Sequence, residues 1–168
     1  MLDQGIFYCL FLLTHLAGRH GHAALVIDDN KTLESRVIGE NSDLSSVDHF
    51  RQYSNYVLLR KKNISKQQVD HITEFAKQNL NNIPYRLCGS LFFRTYQSFA
   101  KKGFGVNCAS LIWYAFESCG IDLDSDGKLF VTPKDIFNSD NVEIIQIYGI
   151  DPNIKKGLNQ NVSDDDSF

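Results

Sequence analysis

From Asn107 to Phe116 the chain reads Asn-Cys-Ala-Ser-Leu-Ile-Trp-Tyr-Ala-Phe. Cys108, Leu111, Ile112, Ala115 and Cys119 recur at helical spacing, which predicts an amphipathic helix that the rest of the chain must cover. Gly120 is its expected stop. Cys108 falls in the first turn. Unpaired N–H groups and the positive end of the helix dipole favour thiolate over thiol there. The same register also suits a plain core cysteine, because buried cysteines are common.

At 168 residues, 43% of them apolar, the chain is long enough for one domain with a substantial core. We expect one domain over 1–150 and a flexible tail over 151–168. The net charge of −3 and the lack of a basic stripe exclude a nucleic-acid partner. Arg60-Lys61-Lys62 reads as a solvated strand end. Cys9, Cys88, Cys108 and Cys119 match no zinc spacing and are too few for a disulfide framework, which points to reduced thiols and a cytoplasmic protein. Cys9 and Cys119 read as small core residues.

The run from Ile6 to Ala17 is strongly apolar. It has no basic residue before it, is interrupted by His15, and is too short to span a bilayer. A buried strand near 5–12 is the reading, with no stable membrane span. A loop through Gly18-Arg19-His20-Gly21 follows. Strands are expected over 22–27 and 33–38, joined at Asp28-Asp29-Asn30 in a hairpin. A short helix is expected over 45–53 and a strand over 55–60. Ser65 and Gln68 form a capping-box pattern, and Val69, Ile72, Ala76 and Leu80 give the following helix one apolar face. Pro84 limits its extension. Thr132-Pro133 opens a short helical turn, and 142–148 is a last strand. Early strands with one helix between strands make the class α+β.

A base for the cysteine is offered by Gly21-His22-Ala23-Ala24-Leu25-Val26-Ile27, where a histidine opens a strand. Cysteine and histidine distant in sequence can meet in a fold, and the pair suggests covalent catalysis on an acyl group.

These stretches resemble the permuted papain-fold cysteine hydrolases of the NlpC type, most closely the branch of YiiX-like and YebB-like proteins. The resemblance rests on Gly21-His22-Ala23-Ala24-Leu25-Val26, Leu33-Glu34-Ser35, Ile83-Pro84-Tyr85, Asn107-Cys108-Ala109-Ser110-Leu111, Cys119-Gly120-Ile121-Asp122-Leu123 and Val131-Thr132-Pro133-Lys134-Asp135-Ile136. They fall in the family's order over about residues 20 to 140. The family's usual Gly-Asp at its first strand is Gly5-Ile6 here. The resemblance implies a circularly permuted papain-like fold, an antiparallel sheet packed on the nucleophile helix, Cys108 as nucleophile and His22 as base. It also implies an acidic partner on the strand after the histidine, and a tyrosine, Tyr85, near the nucleophile that could help bind an oxyanion. A half-buried structural aromatic is the other reading of Tyr85.

His22 alternates with Ala24 and Val26, so it should point toward the core. A hydrogen-bonded core histidine would do the same. His20 has the same parity and is the rival base. For the third group Glu34 is the choice and Glu40 the weaker substitute. An odd hairpin loop would pair Glu34 with Ala24 on the His22 face, whereas a two- or four-residue loop would flip it. Leu33 and Val37 look core-facing, which favours an exposed Glu34 instead.

Asp122-x-Asp124-x-Asp126-Gly127 matches half of a calcium loop, but Pro133 stands where the bidentate glutamate belongs, so an acidic turn is the better account. The expected function is a cysteine peptidase or amidase without metal or cofactor, cleaving an amide through an acyl-enzyme. The alternatives are a lipid acyltransferase or thioesterase, with the Ile6–Leu16 stretch lining an acyl groove, and a non-catalytic binding module. The implied partner is a peptide, amide or lipid substrate.

Overall fold

A computed structural model describes residues 10–16, 19–53, 55–86, 105–128 and 130–149. Residues 5–9 of the strand expected near 5–12, Cys9, Cys88 and the 151–168 tail lie outside the described residues, as do the side chains of residues 10–20.

Among the described residues six antiparallel strands form one sheet. They are β1 (Leu10–Leu16), β2 (Arg19–Asp28), β3 (Lys31–Glu34), β4 (Asp43–Ser46), β5 (Tyr56–Lys61) and β6 (Val142–Tyr148), in the spatial order β4-β3-β2-β1-β5-β6. A 3-10 helix spans Val47–Gln52, and α-helices among the described residues span Lys66–Asn79 (α1), Cys108–Glu117 (α2) and Pro133–Phe137 (α3). The class is α+β, as expected.

The apolar N-terminal stretch supplies β1, which is paired on both sides, with β2 and with β5. A central strand needs no polar alternation, which is the physical reason for the unbroken run. No helix among the described residues is long and apolar enough to cross a membrane.

The sheet is covered on two faces. On one, Ala23, Leu25, Leu33, Val57 and Leu59 pack with Val69, Ile72 and Ala76 of α1 and with Leu111, Ile112, Ala115 and Phe116 of α2. On the other, Ala24 and Leu58 meet Phe50 of the 3-10 helix, with Val26, Val47, Tyr53 and Tyr56 around them. The expected alternation of β2 is present, but it divides two cores.

Four sequence expectations change, the first being the helix expected over 45–53: Ser45 and Ser46 belong to β4, and a 3-10 helix follows over Val47–Gln52. The segment 19–21 is strand, not loop. Residues 35–38 leave the sheet after Glu34, and Val37 and Ile38 are exposed. The helix α2 is not amphipathic: every residue from Ala109 to Phe116 is buried. Sheet, α1 and α3 enclose it, so its apolar stripe widens to the whole surface. The caps behave as read. Ser65 and Gln68 close the capping box of α1, Thr132 caps α3, and Gly120, at φ +69°, lets the Ile121 N–H reach the Phe116 carbonyl beyond α2.

Candidate active site

Cys108 is the first residue of α2. Asn107 is its N-cap: Asn107 Oδ1 accepts from the Ser110 N–H at 2.8 Å, and Ser110 Oγ accepts from the Asn107 N–H at 2.9 Å. This reciprocal pair fixes the first turn. The Cys108 N–H stands at a position with no intrahelical acceptor.

What precedes the helix is clasped from two sides. Val106 N–H donates to the Pro84 carbonyl, Arg86 N–H to the Val106 carbonyl, and Ser35 Oγ also to the Val106 carbonyl at 3.1 Å. Gly105 has φ +89°, and a Cβ there would collide with the Pro84 carbonyl and the Arg86 side chain. Only glycine allows so close an approach.

Tyr85 lies on the same clasp, bridged to Val106, and its N–H donates to the Glu40 carbonyl at 2.9 Å. Burial and then the negative charge of the Cys108 sulfur raise its phenol above the ordinary range, which puts the ring within the electrostatic reach of Cys108. Glu40 meets the site only through that carbonyl. Its side chain is exposed, so it is no substitute for Glu34.

His22 enters from β2. Thr14 pairs with His22 but His15 pairs with His20, so Gly21 is an extra residue in β2 immediately before His22. Such a bulge re-aims the neighbouring side chain. It also breaks the shared parity of His20 and His22 on which the rivalry of His20 rested. The His20 side chain itself lies outside the described residues.

Glu34 is reached by a second irregularity. The hairpin turn has only two residues, Asp29 and Asn30, which alone would have placed Glu34 on the wrong face. Ile27 is an extra residue in β2 and restores the phase, so that Ala24 pairs with Glu34. Glu34 is fully buried, against the compositional expectation of exposure. Leu33 is buried as well, on the opposite face, because both faces of β3 are covered.

The three side chains meet. His22 Nε2 donates to Glu34 Oε2 at 2.9 Å, and Thr32 Oγ1 donates to Glu34 Oε1 at 2.7 Å. Cys108 is a free thiol whose sulfur is near enough to the His22 ring to raise its pKa. With Nε2 committed to Glu34, Nδ1 is the ring nitrogen left for the sulfur. Phe50 stacks on the imidazole, with ring centroids 5.9 Å apart.

The electrostatics follow. Burial by itself would lower the His22 pKa, but the bonds and charges of Cys108 and Glu34 outweigh it and raise the ring to about 9. Burial would raise Glu34, and the bonds from His22 and Thr32, with the charges of His22 and His49, hold it below its ordinary value instead. His49 and Phe50, on the 3-10 helix, were not singled out in the sequence. A helix-spaced sequence signal could not have found them, since their relevance comes from the packing of that helix over β2.

Cys119, in contrast, has its thiol pushed up by burial, and its sulfur lies 4.0 Å from the Gln68 carbonyl. It is a core thiol, as expected. In the acidic turn Asp122 Oδ1 accepts from Trp113 Nε1 at 2.7 Å and from the Asp124 N–H at 2.9 Å. That aspartate is an anchor for α2.

No family model matches the chain, and no curated protein matches it. Among solved structures, the chain is similar to the crystal structure of the metalloprotein yiiX from Escherichia coli O157:H7 (DUF1105), with a TM-score of 0.64 over 85% of this chain and 98% of that one, at 10% identity. The architecture built from these residues is therefore the YiiX-like fold that the motif order implied, and within it Cys108, His22 and Glu34 are brought together.

Proposed function

We propose that the chain is a papain-like cysteine hydrolase of the permuted NlpC type, a peptidase or amidase acting on a peptide or amide substrate. The observation that carries this reading is the position of His22, between the Cys108 sulfur and the buried carboxylate of Glu34. A thiol, an imidazole and an orienting acid in that order are what acyl transfer needs.

In this reading His22 takes the thiol proton and the Cys108 thiolate attacks the carbonyl carbon. A C–S bond forms, and the π pair moves to oxygen. The Cys108 N–H, at the positive end of α2, and the Tyr85 hydroxyl stabilise the oxyanion. The intermediate collapses, the C–N bond breaks, and the amine leaves with the proton from His22. Water, deprotonated by His22, then attacks the thioester, and the carboxylate product departs as the thiol is restored. Glu34 holds Nε2–H throughout, so Nδ1 always faces the reaction.

The fold neighbour is described as a metalloprotein. Among the described residues the donors do not fit a metal centre. His22 Nε2 and Glu34 Oε2 bond to each other, and Glu34 Oε1 is taken by Thr32. Carboxylate oxygens of Asp124, Asp126 and Asp135 lie within 4.8 Å of one another, but Asp135 Oδ2 accepts two bonds from Thr132, and Lys128 occupies Asp126. The proposed chemistry runs through sulfur and imidazole alone.

The test is thiol alkylation followed against pH in native protein and in His22→Ala. Cys108 should be alkylated faster in native protein than in His22→Ala, because only the native chain has an imidazole to take the thiol proton. A Cys108→Ala protein that still turned over a substrate of the native chain would end the proposal.

A further inference from the structure

Glu34 has more than one imidazole beside it. His49 Nε2, from the 3-10 helix, lies 4.0 Å from Glu34 Oε2, the same oxygen that holds His22. The His49 ring is itself held. Its Nε2 is 3.3 Å from the Tyr53 hydroxyl, Tyr53 packs edge-on against it with centroids 5.5 Å apart, and Phe50 does so at 6.0 Å. Phe50 is in turn the ring stacked on His22. One short helix therefore supplies both the lid on the imidazole and a second imidazole for its carboxylate.

A fully buried carboxylate is costly unless it is hydrogen-bonded and has a cation near it. In the cycle proposed above, His22 is neutral whenever its proton has gone to the leaving group, so it is an intermittent cation. Imidazoles are cationic across the acid range in which carboxylates titrate. A second imidazole at this distance therefore opposes protonation of Glu34 when it would otherwise occur. The other ionisable groups around Glu34 among the described residues do not do this. Asp43 is its cross-strand partner on β4 and is tied at 2.8 Å to Arg36, and Tyr53 is a phenol raised by burial and by the charge of Glu34 itself.

We propose that His49 is a positioning residue: a second imidazole against the Glu34 oxygen that orients His22, keeping that carboxylate charged and aimed as the solution turns acid. This rests on the hydrolase reading for its consequence, though not for its measurement. The experiment is an NMR titration of the histidine rings in the full chain. The His22 ring signals should carry an acid inflection as Glu34 takes up a proton. In His49→Gln that inflection should move to higher pH, and in His49→Lys, which restores a cation, it should return toward the native position. The acid limb of Cys108 alkylation should move with it.

Should His49→Gln fail to fold, Tyr53→Phe releases the His49 ring by removing one hydroxyl, and the inflection should again move up. An inflection at the native pH in a folded variant overturns the inference, because a His49 that only packs would leave it there. A native Cys108 that reacts as an ordinary thiol would sink the hydrolase reading and leave this titration intact. A reactive Cys108 with an unmoved inflection would sink the His49 inference alone.

Discussion

Glu34 Oε2 stands 2.9 Å from His22 Nε2 and is fully shielded from solvent, so the ring is oriented by a carboxylate that has nowhere else to turn. Glu34→Gln keeps the shape and removes the charge. We expect turnover to fall by about 10²–10⁴-fold, the usual worth of general-base assistance, and the acid-side reactivity of Cys108 to fall with it. Steady-state rates and alkylation profiles of the variant, compared at matched thermal stability, check this.

Tyr85 and Cys108 are joined through the bridge between Tyr85 and Val106, and the sulfur's charge is felt at the phenol. If the hydroxyl binds the oxyanion, Tyr85→Phe should lower kcat by about 10²-fold or more, with KM nearly unchanged. Equal kcat in native and variant would return Tyr85 to the role of a packed aromatic.

Gly105→Ala introduces a methyl group into the Pro84 carbonyl and the Arg86 side chain at a positive φ. Overpacking and backbone strain together should cost about 1–3 kcal/mol. The clasp also sets where α2 begins, so Cys108 alkylation should slow by more than the loss of folded protein explains. Denaturant unfolding beside alkylation rates separates the two effects.

Stability should depend on pH in a defined window. His22 has a folded pKa of about 9 against an ordinary value of 6.5, so its contribution is complete below 6.5 and is lost as pH rises through 9. Glu34 is held below its ordinary value of 4.5, so its contribution is complete above 4.5 and is lost as pH falls through the depressed value. Both are complete between about 4.5 and 6.5, where the melting temperature should be highest. His22→Ala should flatten the alkaline side of that curve.

The sequence made some of this legible and hid the rest. Cys108 and His22 could be paired because a cysteine opening a helix and a histidine opening a strand are local patterns, and the ordered motifs joined them. Ser65, Gln68 and Gly120 were readable for the same reason: caps are satisfied within a few residues. Glu34 could be named but not oriented, since its face depends on an extra residue at Ile27 that pairing alone reveals. Leu33 misled because β3 is covered on both sides, so neither of its faces is a solvent face. β4 passed unnoticed, since Asp43–Ser46 is a polar edge strand with no apolar alternation. His49 was invisible because its partner lies across the sheet, fifteen residues earlier by sequence number.

The Ile27 bulge turns hairpin length into a control on chemistry. Were Ile27 drawn into the ladder opposite Thr32, the same turn would slip β3 by one residue, presenting leucine to the histidine and sending the carboxylate into the greasy side of the sheet. One residue held out of the ladder thus decides which side chain the imidazole meets.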